Sequence, residues 1–168
     1  MFQNQFGSKP NKQKGISLIE ILIVISIITV SLTSLLGLVS FSLNATSLTK
    51  QTSQANNIAQ ELIEQVRSFR DSTDWSVDGI ASLTTGINYY IEKSGLPLKW
   101  QLIEGTETIN GFTKKIVFKT VKRDGLDNIV KMGGTNDPNT KKITATVSWQ
   151  ERNKDHQIEI VTYLTNWK

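Results

Sequence analysis

"KGISLIEILIVISIITVSLTSLLGLVSFSL", residues 14–43, sets a single carboxylate, Glu20, into an otherwise uncharged apolar run that begins directly after a basic patch. From Ile16 to Leu43 there are 18 apolar side chains, eight Ser or Thr, one Gly and that one charge. As a helix this length spans a bilayer core of ~30 Å. The stretch is therefore expected to be a transmembrane helix over 16–43. A secretory signal fits poorly, because its apolar region runs only about 7 to 15 residues and ends in a small-residue cleavage site. No such site follows here.

Upstream, residues 1–15, "MFQNQFGSKPNKQKG", are polar, basic and free of acids, and carry too little apolar surface to fold. They read as a leader. Positive charge ahead of the span holds the N-terminus on the cytoplasmic side, which sends everything after residue 43 outward.

Downstream, the polar segment 44–54 gives way to a new period. Ala55, Ile58, Ala59, Leu62, Val66 and Phe69 fall on one face of an amphipathic helix, with Ile63 beside it. Neither Pro nor Gly interrupts 44–71, so one helix is expected from about residue 16 to 70, with Gly37 its weakest interior point. Polar "RDSTDW" (70–75) ends it, and short extended runs follow at 87–93, 98–103, 112–123 and 128–132. The last two strands are the clearest. Ile143, Ala145, Val147 and Trp149 alternate with polar residues, and Ile158, Ile160, Thr162 and Leu164 do the same, joined through "ERNKDH" (151–156) as a hairpin with His156 in its turn. "GGTNDPNTKK" (133–142) reads as a surface connection, and "DGLDN" (124–128) as a turn, since it lacks the spaced carboxylates of a calcium loop.

Charge narrows the function classes. The formal charge is +4, but Lys9, Lys12 and Lys14 belong to the leader, leaving 16 basic and 15 acidic side chains in residues 16–168. A nucleic-acid footprint needs cations clustered on a folded face. The only such candidates, Lys114, Lys115, Lys119, Lys122 and Arg123, read as a solvated strand face, so no nucleic-acid partner is expected. The chain has no cysteine, one histidine and no phosphate-cradling Gly loop, and neither a metal site, a cofactor nor an enzyme activity is expected. Trp75, Trp100, Trp149 and Trp167 are read as core or rim residues rather than a ligand platform.

A basic leader ending in Gly15, apolar Ile16 after it, Glu20 five residues past the glycine and a long apolar helix together resemble the class III signal of type IV pilins and pseudopilins. The resemblance rests on residues 14–30. It implies that prepilin peptidase cuts between Gly15 and Ile16 and that the new amino group of Ile16 is N-methylated. It also implies an α+β, type IV pilin-like fold: a long N-terminal helix, membrane-spanning in its first half and amphipathic in its second, on a small antiparallel sheet. The corresponding segments are 1–15 (leader), 16–43 (assembly half), 44–72 (amphipathic half) and 73–168 (sheet).

A lone carboxylate near a membrane is costly unless an opposite charge meets it. Cleavage supplies one: the amino group of Ile16 in one subunit can pair with Glu20 of a neighbour entering with an axial offset, which sets register. Glu20 also sits where the helix macrodipole favours an anion, and Ser17 with Glu20 reads equally as an S-x-x-E capping box. Ser26, Thr29, Thr33, Gly37, Ser40 and Asn44 form one small or polar stripe, either a helix-packing face or hydroxyls bonded to their own backbone. Gly37 lies where pilin helices of this type loosen during assembly.

The expected function is a structural, minor pilin-like subunit of a type IV pilus, sited in the bacterial cytoplasmic membrane and then in an extracellular or periplasmic filament. Its implied partners are prepilin peptidase, other pilin or pseudopilin subunits, and an assembly ATPase with its membrane platform. Ile16 in place of the usual phenylalanine points to a minor pilin or pseudopilin rather than a major subunit. A pseudopilin of a type II secretion or competence system is the alternative, and a signal-anchored adhesin or sensor the third reading.

Overall fold

The computed structural model describes residue 15 and residues 17–167. Helix α1 runs from Leu18 to Ser72, unbroken at Gly37, and is followed by a single 3-10 turn at Ile80–Ser82. Seven strands complete the chain: β1 Asn88–Ser94, β2 Lys99–Glu104, β3 Glu107–Ile109, β4 Phe112–Arg123, β5 Ile129–Val130, β6 Thr135–Glu151 and β7 Lys154–Thr165. This is the expected α+β layout, a long N-terminal apolar helix with an antiparallel sheet behind it.

The described chain divides into two compact units, one up to Thr46 and one from Ser47. Among the described residues of the first, α1 is the only element, and every one through Leu43 is exposed. It contains an 18-residue window of mean hydropathy 2.5, long and apolar enough to cross a membrane.

In the second unit α1 presents Ala55, Ala59, Leu62, Ile63, Val66 and Phe69 to the sheet, with Ile58 half-buried beside them, as the 3.6-residue period requires. The hydroxyls of Ser72 and Thr73 both donate to the carbonyl of Phe69 and end the helix. The turn beyond it is fastened by Asp74 and Asp78, whose carboxylates accept backbone N–H groups from Ser76, Val77 and Asp74. Gly79 sits against the backbone of Asp74 and Trp75, so that any Cβ there would collide.

The sheet runs β2-β1-β4-β6-β7, all antiparallel, with β3, β1 and β5 sharing one edge of β4. Ile116 and Phe118 on β4 and Ile143, Ala145, Val147 and Trp149 on β6 point inward, and Ile158, Ile160, Thr162 and Leu164 on β7 follow as the alternation demands. Each large aliphatic or aromatic side chain buried here contributes about 1.5–3 kcal/mol.

Three expectations are corrected. Residues 135–142 are strand, not a surface connection: β6 continues past its turn-rich composition because the pairing slips from Thr120↔Lys141 to Val121↔Asp137. Pro138 lies in that bulge, where its missing N–H breaks no ladder. The bulge carbonyls are then free to accept from Trp75 Nε1 (at Pro138, 3.2 Å) and from the backbone of Asn166 (at Asn139, 2.8 Å). Second, the β6–β7 turn is two residues long rather than six. Arg152 and Asn153 both have positive φ, as a two-residue hairpin requires, so His156 lies within β7 and its ring stacks on Trp149 at 5.5 Å. Third, β3 was not expected. Its signal is the Asn110-Gly111 pair between Ile109 and Phe112, both with positive φ, which turns β3 into β4.

Candidate functional site

The helix start is built from a few residues. The carbonyl of Ser17 accepts the backbone N–H groups of Glu20 (3.0 Å) and Ile21 (3.3 Å), so Ser17 closes the first turn of α1. Glu20 is in that turn, exposed, and lines a shallow hollow with Ile21, Val24 and Ile25. Of the residues flanking the expected cut, Gly15 is exposed, while Ile16 and the leader residues 1–14 lie outside the described residues.

The small and polar stripe sits along the same exposed helix. The hydroxyls of Ser26, Thr29 and Thr33 donate to the carbonyls of Leu22, Ile25 and Thr29 at 2.8, 2.8 and 3.0 Å, and Thr33 is shared with Val30. Ser31 and Ser34, which lie off the stripe, make the same backward bond. The donors are thus satisfied within the helix, while each oxygen keeps acceptor capacity for a neighbour. Gly37 and Ser40 are exposed and Asn44 is half-buried. A Cβ on Gly37 would meet open space, so nothing in this helix demands glycine there.

Chemistry elsewhere is sparse. Among the described residues no three His, Cys, Asp or Glu side chains cluster in a way that could hold a metal ion. Trp75 and Trp149 are buried, Trp100 is half-buried under Lys93, and Trp167 is exposed with Arg70 6.0 Å from its ring centroid. Of the five cations on β4, Lys114 pairs with Glu107 across β3 at 2.8 Å and Arg123 with Asp137 across β6 at 2.7 Å. Donation from Arg123, and then from Thr140, holds the Asp137 carboxyl below its ordinary range. Asp124 is lowered too, by the backbone N–H of Asn128 first, then its side chain and the N–H of Leu126, which makes "DGLDN" the expected turn. A cavity of about 420 Å³ lies where the last turn of α1 meets Trp75, Asn166 and Trp167, lined by Arg70 and Asp74.

The N-terminus remains the region with a recognisable pattern, and the family described as "Prokaryotic N-terminal methylation motif" matches it over residues 10–36. The chain carries the class III signal of type IV pilins. No curated protein and no solved structure matches it. With the long helix directly behind it, the chain has the N-terminal signal of type IV pilin-like and pseudopilin proteins, followed by a helix long and apolar enough to anchor it in a membrane. Proteins bearing this signal are structural subunits rather than enzymes, and the signal implies processing by a prepilin peptidase and assembly with other pilins.

Proposed function

We propose that this pilin-like chain is a minor structural subunit of a type IV pilus, cut between Gly15 and Ile16 and methylated on the new amino group of Ile16. The observation that carries this reading is the methylation motif over residues 10–36 leading straight into an unbroken, exposed apolar helix from Leu18. An exposed apolar surface of this length needs either lipid or other helices around it. A subunit that first waits in the cytoplasmic membrane, N-terminus inside, and then moves into a helical bundle meets both needs in turn.

In that bundle the cationic amine of Ile16 meets Glu20 of a neighbouring subunit, which fixes the axial offset. The oxygens of Ser26, Thr29 and Thr33 and the flat surfaces at Gly37 and Ser40 let adjacent helices approach closely. The machinery called for is a prepilin peptidase, an assembly ATPase with its membrane platform, and partner pilins. The segments act as leader (1–15), assembly half (16–43), amphipathic half (44–72) and exposed sheet unit (73–168).

N-terminal peptide and intact mass spectrometry tests the reading on protein recovered from host membranes with and without the peptidase. The expected chain begins at N-methylated Ile16 only when the peptidase is present. A chain retaining residues 1–15 in both samples would overturn it.

A further inference from the structure

The β1–β2 hairpin is hydrogen-bonded to the rest of the sheet only through Asn88 and Tyr89, because β3 occupies the next stretch of the β4 edge. Its far end, Gly95–Leu98, is therefore free of the sheet. There Leu96 is 100% exposed and Leu98 68% exposed, on either side of Pro97 at the tip. Behind them stand Lys93 and Lys99, both exposed, and Trp100, whose ring centroid lies 4.6 Å from Lys93 Nζ. Residues 93–103 contain two lysines and no acid. Along the hairpin the next carboxylate, Glu92, is half-buried and two rungs behind the Ser94–Lys99 pair. Among the described residues no carboxylate lies within ion-pair distance of either lysine.

Leucines held this far into water cost free energy, so their position calls for a partner that covers them. A protein pocket would have to match the shape of a convex turn. A bilayer asks only that apolar side chains reach the acyl boundary while cations and an aromatic ring stay at head-group level. The tip has that order: leucines outermost, then Lys99 one rung back, then Lys93 and Trp100 facing each other on the next. We infer that the β1–β2 tip is a docking element for an anionic lipid surface, with Leu96 and Leu98 entering it and Lys93 and Lys99 meeting its phosphates. One hairpin binds weakly, so copies held together on one vesicle bind firmly through multivalency.

The full chain, anchored through α1 in zwitterionic vesicles, is mixed with fluorescent acceptor vesicles of either phosphatidylcholine alone or phosphatidylcholine with phosphatidylglycerol. Because acceptors are separate from the bilayer holding the helix, capture reports the exposed unit and not the span. Capture of the anionic vesicles is expected, weakening as salt rises, and falling roughly fivefold or more in Leu96→Ser/Leu98→Ser and again in Lys93→Glu/Lys99→Glu. Leu126→Ser/Met132→Ser, which removes comparably exposed apolar side chains from the connections on either side of β5, one of which holds Asp124 and Asp127, should capture like the unaltered chain. All these positions are exposed, so an unchanged thermal unfolding midpoint confirms that the variants fold. Equal capture of neutral vesicles, no capture of anionic ones, or capture indifferent to either pair at the tip would overturn the inference.

Discussion

Glu20 and Asp137 are carboxylates with opposite fates. Glu20 is exposed in the first turn of α1, and in the proposed bundle its partner comes from another subunit. Glu20→Ala should therefore leave peptidase cleavage intact while lowering the amount of subunit recovered in sheared filaments. Undiminished recovery would remove its role in register. Asp137 already has its partner: Arg123 donates to it at 2.7 Å and Asn139 N–H at 2.8 Å. Because its folded pKa, like that of Asp124, is depressed, these groups add stability above the unfolded carboxyl value of about 3.9, and that contribution is lost as pH falls through the lower folded values. Denaturant midpoints should be level from neutral pH to about 5 and fall below about 4, and Asp137→Asn should shrink that fall. The pair joins positions fourteen residues apart across a bulge, which no local spacing announces, so sequence reading missed it.

Among the elements, the helix shows how far pattern reaches. The positions expected to face the core, Ala55 through Phe69, are those that are buried, with Ile58 half-buried at their edge, because an amphipathic period survives in any context that supplies a sheet. The inward rows of β6 and β7 were legible for the same reason. The start of β6 was not: Gly, Asn, Asp and Pro signal a turn by their local preferences, and here tertiary pairing to β4 overrides them by placing Pro138 in a bulge. The stripe on α1 was only half legible, since spacing locates Ser26, Thr29 and Thr33 but not where their hydroxyls point. Gly37 belongs to this scale as well. With open space around its Cα, Gly37→Ala should stabilise the helix by about 1 kcal/mol. If loosening at this point is needed for assembly, the variant should be stable in the membrane yet slow to enter filaments; assembly at the normal rate would mean the helix does not loosen there.

At the scale of the whole molecule, the class III signal was readable because its meaning lies in a short contiguous stretch, whereas the exposed tip of the β1–β2 hairpin was hidden, since leucines announce burial in a sequence and only the fold shows these two in water. The order of elements has a temporal consequence. The apolar face of α1 at Ala55–Phe69 shares its core with Ile143–Trp149 and Leu164, which a ribosome adds some eighty residues or more later. Until then the face has only part of its cover, from Trp75 to Phe118, while the preceding apolar segment is already available to the membrane. Insertion therefore precedes folding, and for that interval the nascent second unit is an open, sticky chain tethered at one end. In the proposed N-inside topology a chaperone on the far side of the membrane would find it there, and a stall before β6 is made would leave that chain without Ile143–Trp149 and Leu164 to close its core.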